Sequence, residues 1–344
     1  MEIIRINPDY QYGFHIRCRA SITKTVEAAA LMGINAMQLY LGNSRGYALA
    51  KANPKDILSA RSILEETGMY ICAHAPLVYN LAGKADPSDM TKLEAIRAKV
   101  IEGMTSQLDI MAALGGGVVV HPNSCKDKKL GIKNVADTVT QSLTRDGKQT
   151  QEFADALGIG KEAFKKRRLV ILENADGAGS KLAVTLSEIA NILELVHEDV
   201  YPQVRICIDT AHIYGAGQYD FGKKEEIDRF YTDFDEIIGI EKLEVFHLND
   251  SRRSKEKKRN AYFGSRKDQH EYLGKGYIFD ENEKSRTKAL KYFFMMIRKK
   301  KVPVIGEPPK NIEFEGKLVD GPGGKREWGY VSSILRYSKH PLEY

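Results

Sequence analysis

Eight short apolar runs punctuate the chain, at 12–18 (YGFHIRC), 36–42 (AMQLYLG), 70–76 (YICAHAP), 116–122, 169–174, 204–210, 243–250 and 302–308. Each has the length and the β-branched or aromatic bias of a buried strand. Most of the intervals read as helix. Asn53-Pro54 opens one as a cap followed by an N1 proline, and Gly68 closes it as a C′ glycine. Ser88 is expected to cap a helix over Asp89–Leu114, and Leu290, Phe293, Phe294 and Ile297 follow the helical i, i+3, i+4, i+7 rule. Eight buried strands alternating with helices predict an α/β chain folded as a closed parallel (β/α)8 TIM barrel, a single catalytic domain over 1–344. A doubly wound open sheet is the competing architecture. It usually carries a glycine-rich phosphate turn after its first strand, and YGFHIRC has none. Two stretches exceed ordinary connections and read as insertions, about 124–167 and about 251–262.

The residues at the ends of these strands carry the chemistry. Strand three ends in His74, strand four in His121, strand five in Glu173, strand six in Asp209 with His212 three residues on, strand seven in His247 and strand eight in Glu307. After the seventh strand Asp268 and His270 follow in the loop. A parallel barrel brings all C-terminal strand ends to one face, where active sites sit. Carboxylates and imidazoles packed together would repel or stay unpaired unless cations lay among them. One ion cannot use so many ligands, whereas three ions sharing ligands can. Such clusters suit hydrolysis of phosphoesters.

Composition narrows the field without choosing within it. Lys and Arg number 52 against 46 Asp and Glu, a formal charge of +6 that permits a polyanionic partner. Net +5 of it lies in Arg252–Arg259 (RRSKEKKR). Cys18, Cys72, Cys125 and Cys207 show no paired metal-site spacing and suit reduced thiols, so an intracellular protein is expected, nucleus and cytoplasm not being distinguished. No apolar run approaches a membrane span, and the first residues do not read as a signal peptide.

These residues resemble the endonuclease IV family, the metal-dependent apurinic/apyrimidinic endonucleases of base-excision repair. The resemblance runs from about His15 to about Pro308, through HAPLVYN (74–80), HP (121–122), LEN (172–174), CIDTAH (207–212), HLNDS (247–251) and FGSRKDQHEYLGKG (263–276). It implies that His74, His121 and Glu173 hold one zinc, and that Glu173 bridges to a second held by Asp209, His247 and Glu307. His212, Asp268 and His270 would hold a third, with manganese possible at one site. It implies hydrolysis, by a hydroxide between the first two metals, of the phosphodiester 5′ to an abasic sugar in double-stranded DNA. The products would be a 3′-hydroxyl and a 5′-deoxyribose phosphate, and trimming of blocked 3′ ends or 3′→5′ exonuclease action belongs to the same family. Glu173, His121 and Glu307 are expected to serve the reaction itself, and the protein to act as a monomer.

For DNA contact, Arg45 falls where the family places an intercalating arginine. Leu77 and Val78 stand where it often has a Tyr-Leu pair, and Asn80 and His15 match positions near the site. Arg252, Arg253 and Lys255 in the basic loop are candidates for phosphates. Sugar isomerases and epimerases of the same barrel superfamily are the alternative, but they typically need one or two metals and no counterpart of His74, His121, Asp268 and His270. An endonuclease for ultraviolet photoproducts shares barrel and metals but explains FGSRKDQHEYLGKG (263–276) less well, and a non-catalytic DNA-damage binder should have lost ligands, whereas this chain has lost none.

Overall fold

The computed structural model describes residues 9–16, 18, 21–48, 51–83, 90–307, 309, 311–314, 317–322 and 331, with the backbone alone for 90–93, 311–314 and 317–322. Eight parallel strands form a closed barrel. They are β1 (Tyr12–Ile16), β2 (Ala36–Leu39), β3 (Tyr70–His74), β4 (Gly117–Val120), β5 (Val170–Glu173), β6 (Val204–Asp209), β7 (Leu243–His247) and β8 (Val304–Gly306). Each pairs with its sequence neighbours, and β8 closes the ring on β1 with Tyr12 opposite Val304 and Phe14 opposite Gly306. β1 and β2 approach so closely that a Cβ on Gly13 would lie 1.6 Å from the Ala36 carbonyl oxygen, so only glycine fits there.

Helices α1 (Ile22–Leu31), α2 (Pro54–Thr67) and α3 (Met90–Leu114) connect the first strands. The predicted caps of α2 are both formed: the Asn53 side chain accepts from the Lys55 N–H, and Gly68 ends the helix at φ 64°. Ser88 and Asp89, the predicted start of α3, lie outside the described residues. Residues 124–167 hold three helices, α4 (Lys128–Thr144), α5 (Thr150–Ala156) and α6 (Lys161–Lys165). Of these α4 is itself the crossover from β4 to β5, and α5 and α6 are the added part. A buried ion pair fastens them: Arg168 lies 2.6 Å from Asp109 of α3 and also donates to the carbonyls of Leu143 and Arg145 and to Thr150 Oγ1. Further on come α7 (Leu186–Glu194), α8 (Thr210–Gly215), α9 (Lys224–Ile237) and α10 (Lys284–Lys300), and α10 buries Leu290, Phe293, Phe294 and Ile297 as its periodicity required.

Inside the barrel, Ala36, Cys72, Val119, Ile171, Cys207, Val245 and Ile305 form one apolar layer. Side chains alternate along a strand, so the residue two positions on shares that face. Those residues are Gln38, His74, His121, Glu173, Asp209, His247 and Glu307, and β1 adds His15. One polar layer therefore rests directly on an apolar floor.

Candidate metal centre

Glu173 occupies the middle of the polar layer. Its side chain is 1% exposed and four imidazoles surround it: His74 Nε2 at 3.2 Å, His121 Nε2 at 3.4 Å, His212 Nδ1 at 3.4 Å and His247 Nδ1 at 3.0 Å. Asp209, the last residue of β6, accepts from the N–H groups of Ala211 and His212 and so caps α8, which in turn carries His212. Glu307 lies 3.4 Å from His247 Nδ1. Asp268 reaches His212 Nε2 at 3.3 Å and His270 Nε2 at 3.2 Å, and His270 Nε2 is 3.5 Å from Asp209. All nine residues expected at the centre are thus in one place. Their loop is pinned from behind, where the buried Asp250 carboxylate accepts from the backbone N–H groups of Ser251, Gly274, Gly276 and Ile278.

Four sets of ligand atoms converge tightly enough to share an ion: His74, His121 and Glu173; Glu173, Cys207 and His247; Asp209, His247 and Glu307; and Asp209, His212 and His270. The donor set suits a divalent cation. His212 Nε2 and His270 Nε2 are buried without hydrogen-bond partners, although Asp268 is near both, as expected for lone pairs kept for a metal. Burial lowers the His121 imidazole to about 4, so it is neutral and able to donate its lone pair at pH 7. Against the same burial, His121 and His247 hold the Glu173 carboxylate well below its usual range. Burial raises Cys207 to about 12, leaving a neutral thiol in the floor beside His247.

Sequence reasoning passed over the amides that brace these ligands. Asn249 Nδ2 donates to Asp209 Oδ2 at 2.6 Å and to Glu307 Oε2 at 3.3 Å, and Asn174 Oδ1 accepts from the Asp209 N–H at 2.6 Å. Gln38 Nε2 donates to Glu307 Oε1 at 2.7 Å and to His15 Nδ1 at 3.0 Å. Asn249 and Asn174 sit in motifs that stood out; Gln38 sits inside an apolar strand with nothing to mark it. His15 lies 3.6 Å from Glu307 and outside every convergent set.

Among the DNA candidates, Arg45 is exposed and Leu77 is 50% exposed, whereas Val78 packs on the core. Their two loops form one ridge: the Leu77 N–H donates to Ser44 O, and Tyr47 Oη donates to Val78 O. Asn80 is a loop brace, donating to Ser124 O and accepting from the Ala82 N–H. Arg252 donates to the His270 carbonyl, and Arg253 pairs with Asp280 and covers the Tyr277 ring. Lys255 is exposed. Among the described residues no helix is long and apolar enough to cross a membrane.

Comparison with known proteins agrees with this architecture. The family described as "Xylose isomerase-like TIM barrel" matches residues 26–286. A protein of Akkermansia muciniphila named probable endonuclease 4 is 30% identical over 275 residues, covering 78% of this chain and 85% of that protein. Its namesake from Halothermothrix orenii is 26% identical over 313 residues, 90% of this chain and 95% of the other. The crystal structure of endonuclease IV from Thermus thermophilus superposes with a TM-score of 0.67 at 23% identity, covering 95% of this chain and 98% of that one. With a closed (β/α)8 barrel, ligand sets at its strand ends and these relatives, the chain belongs to the xylose isomerase-like TIM barrel family and, within it, to the endonuclease IV family.

Proposed function

We propose that this chain is a metal-dependent DNA-repair hydrolase that cuts the phosphodiester 5′ to an abasic site and leaves a 3′-hydroxyl and a 5′-deoxyribose phosphate. The observation that carries this reading is the shared carboxylate of Glu173, within 3.5 Å of four imidazoles and a member of convergent ligand sets on either side. His74, His121 and Glu173 would hold one ion, Asp209, His247 and Glu307 a second with Glu173 shared, and His212, Asp268 and His270 a third with Asp209 alongside. Three zinc ions fit the imidazole and carboxylate donors, and manganese fits the more carboxylate-rich set. When bound, such cations lower the pKa of water and offset charge on phosphoryl and leaving oxygens.

The chain's own residues do the rest. Glu173 ties neighbouring ligand sets into one rigid unit. His121, 24% exposed at the mouth of the centre, offers a neutral imidazole where the phosphate must enter. Glu307 is held by amides on both of its oxygens, and so keeps one orientation while the substrate is bound. The ridge of Arg45 and Leu77 supplies a cation and an apolar wedge for opening the duplex at the lesion. In the basic loop we assign phosphate contact to Lys255 and the adjoining Lys257 and Lys258, because Arg252 and Arg253 already hold the protein together.

The test is incision of a duplex bearing a single tetrahydrofuran abasic analogue, with Glu173→Gln as the control. Cleavage immediately 5′ to the analogue, reduced more than about 100-fold in the variant, is the expected result. A zinc-loaded protein that leaves the duplex intact would sink the reading.

A further inference from the structure

We propose that Gln38 is a positioning residue that decides which nitrogen of His247 is presented to a metal and locks Glu307 beside it. The inference rests on the metal centre of the proposed function, but not on its substrate.

An ionised carboxylate only accepts hydrogen bonds, so the Gln38 group 2.7 Å from Glu307 Oε1 is its amide nitrogen. Its second N–H then points to His15 Nδ1 at 3.0 Å. The amide oxygen is thereby turned to the other side, where His247 Nε2 stands at 2.9 Å and the Cys72 thiol at 3.3 Å. A carbonyl oxygen cannot donate, so His247 must carry its proton on Nε2. Nδ1 is then the nitrogen turned toward Glu173 Oε1 at 3.0 Å and Glu307 Oε2 at 3.4 Å, where a cation would take the place of the proton it shares with these carboxylates. That is where a cation shared with Asp209 and Glu307 would sit. Gln38 is fully buried and all its hydrogen-bonding capacity is used, so the amide has one satisfied orientation.

His247 is unusual in this dependence. His74, His212 and His270 each set Nδ1 against a backbone carbonyl, of Ala75 at 2.7 Å, Asn174 at 3.1 Å and Glu307 at 3.1 Å, which leaves Nε2 for a ligand. No substitution can remove a backbone carbonyl. His247 alone of these four uses the opposite nitrogen and takes its orientation from a replaceable side chain.

The experiment compares the full-length parent with Gln38→Met, which keeps length and loses both amide functions. Zinc affinity is read by competition with a chromophoric chelator, and the protonated ring nitrogen of His247 by 15N–1H correlation spectra of the zinc-loaded protein. The expected result is a 10- to 100-fold weaker affinity for one ion with the others unchanged, and a His247 proton no longer confined to Nε2. Incision should fall in kcat with KM for DNA unaltered. Should Gln38→Met fail to fold, Gln38→Asn is judged by the same criterion, since its amide is too short to span Glu307 and His247. Equal affinity for every ion, or equal weakening of all of them, overturns the proposal. One-ion weakening in a protein that does not cut abasic DNA would uphold Gln38 and sink only the nuclease reading; a parent that binds no zinc would sink both.

Discussion

Arg253 and Lys255 stand two residues apart in the same basic run, yet their surroundings differ. Both side chains reach water, but the guanidinium of Arg253 also lies 2.8 Å from Asp280 and 4.7 Å from the centre of the Tyr277 ring. Replacing Lys255, Lys257 and Lys258 together by alanine should therefore flatten the dependence of log affinity for DNA on log salt, by about 0.9 for each phosphate these lysines neutralise. Arg253→Ala should instead cost about 0.5–1 kcal/mol of stability and leave that slope unchanged. An unaltered slope in the triple variant would remove the loop from the DNA interface. Lys242 shows a different local effect. Burial lowers its ammonium to about 8, among the carbonyls of Tyr201 and Val204 and over the Tyr201 ring. The native state then releases a proton near pH 8 that the unfolded chain keeps to about 10.5. The unfolded state binds more protons in that window, so stability gains up to about 1.4 kcal/mol per pH unit as pH rises through it. Lys242→Met should lack this rise, as chemical unfolding of both proteins at pH 7, 8, 9 and 10 would reveal.

Among whole elements, the barrel was legible because each strand is a compact apolar run, and its C-terminal residue is the position that a parallel barrel exposes on one face. His74, Glu173, Asp209 and His247 could be found that way since each is a reactive group placed last in its strand. Gln38 could not. It is the third residue of the four in β2, an unreactive amide among apolar neighbours, and its importance comes from three strands that the sequence does not show to be adjacent in space. The role of Arg168 was hidden for the same reason, since its partner Asp109 is 59 residues away. That pair makes a test of α5 and α6. Arg168→Ala leaves Asp109 buried without its cation and should cost about 3–5 kcal/mol. Limited proteolysis should then cut within 145–167 before anywhere else in the described chain. Cleavage unchanged from the parent would mean that apolar packing of Phe153 and Phe164 holds these helices without the ion pair.

For the molecule as a whole, the candidate metal centre would also join the barrel together, because its proposed ligands are the last residue of four strands, the residue just past two more, and three residues of two connecting segments. Chelation should lower the unfolding temperature, and added zinc should restore it in proportion to the logarithm of its concentration, by about 2.7 kcal/mol at a hundredfold excess over Kd. Thermal scans with and without chelator that coincide would contradict this. The closure of the ring between β1 and β8 has a further consequence, in time rather than space. Tyr12 meets Val304, and Glu307 follows three residues later. While the chain is being synthesised, β1 and β7 therefore remain unpaired edges until almost the last part of the barrel has left the ribosome. His15 and Gln38, made with the first two strands of the barrel, wait for a partner made just after its last strand. A half-made polypeptide cannot assemble the pairing of His247 with Glu307, so the proposed activity would arrive only with a finished barrel, and a product truncated before β8 would keep an open sheet edge and an incomplete ligand set.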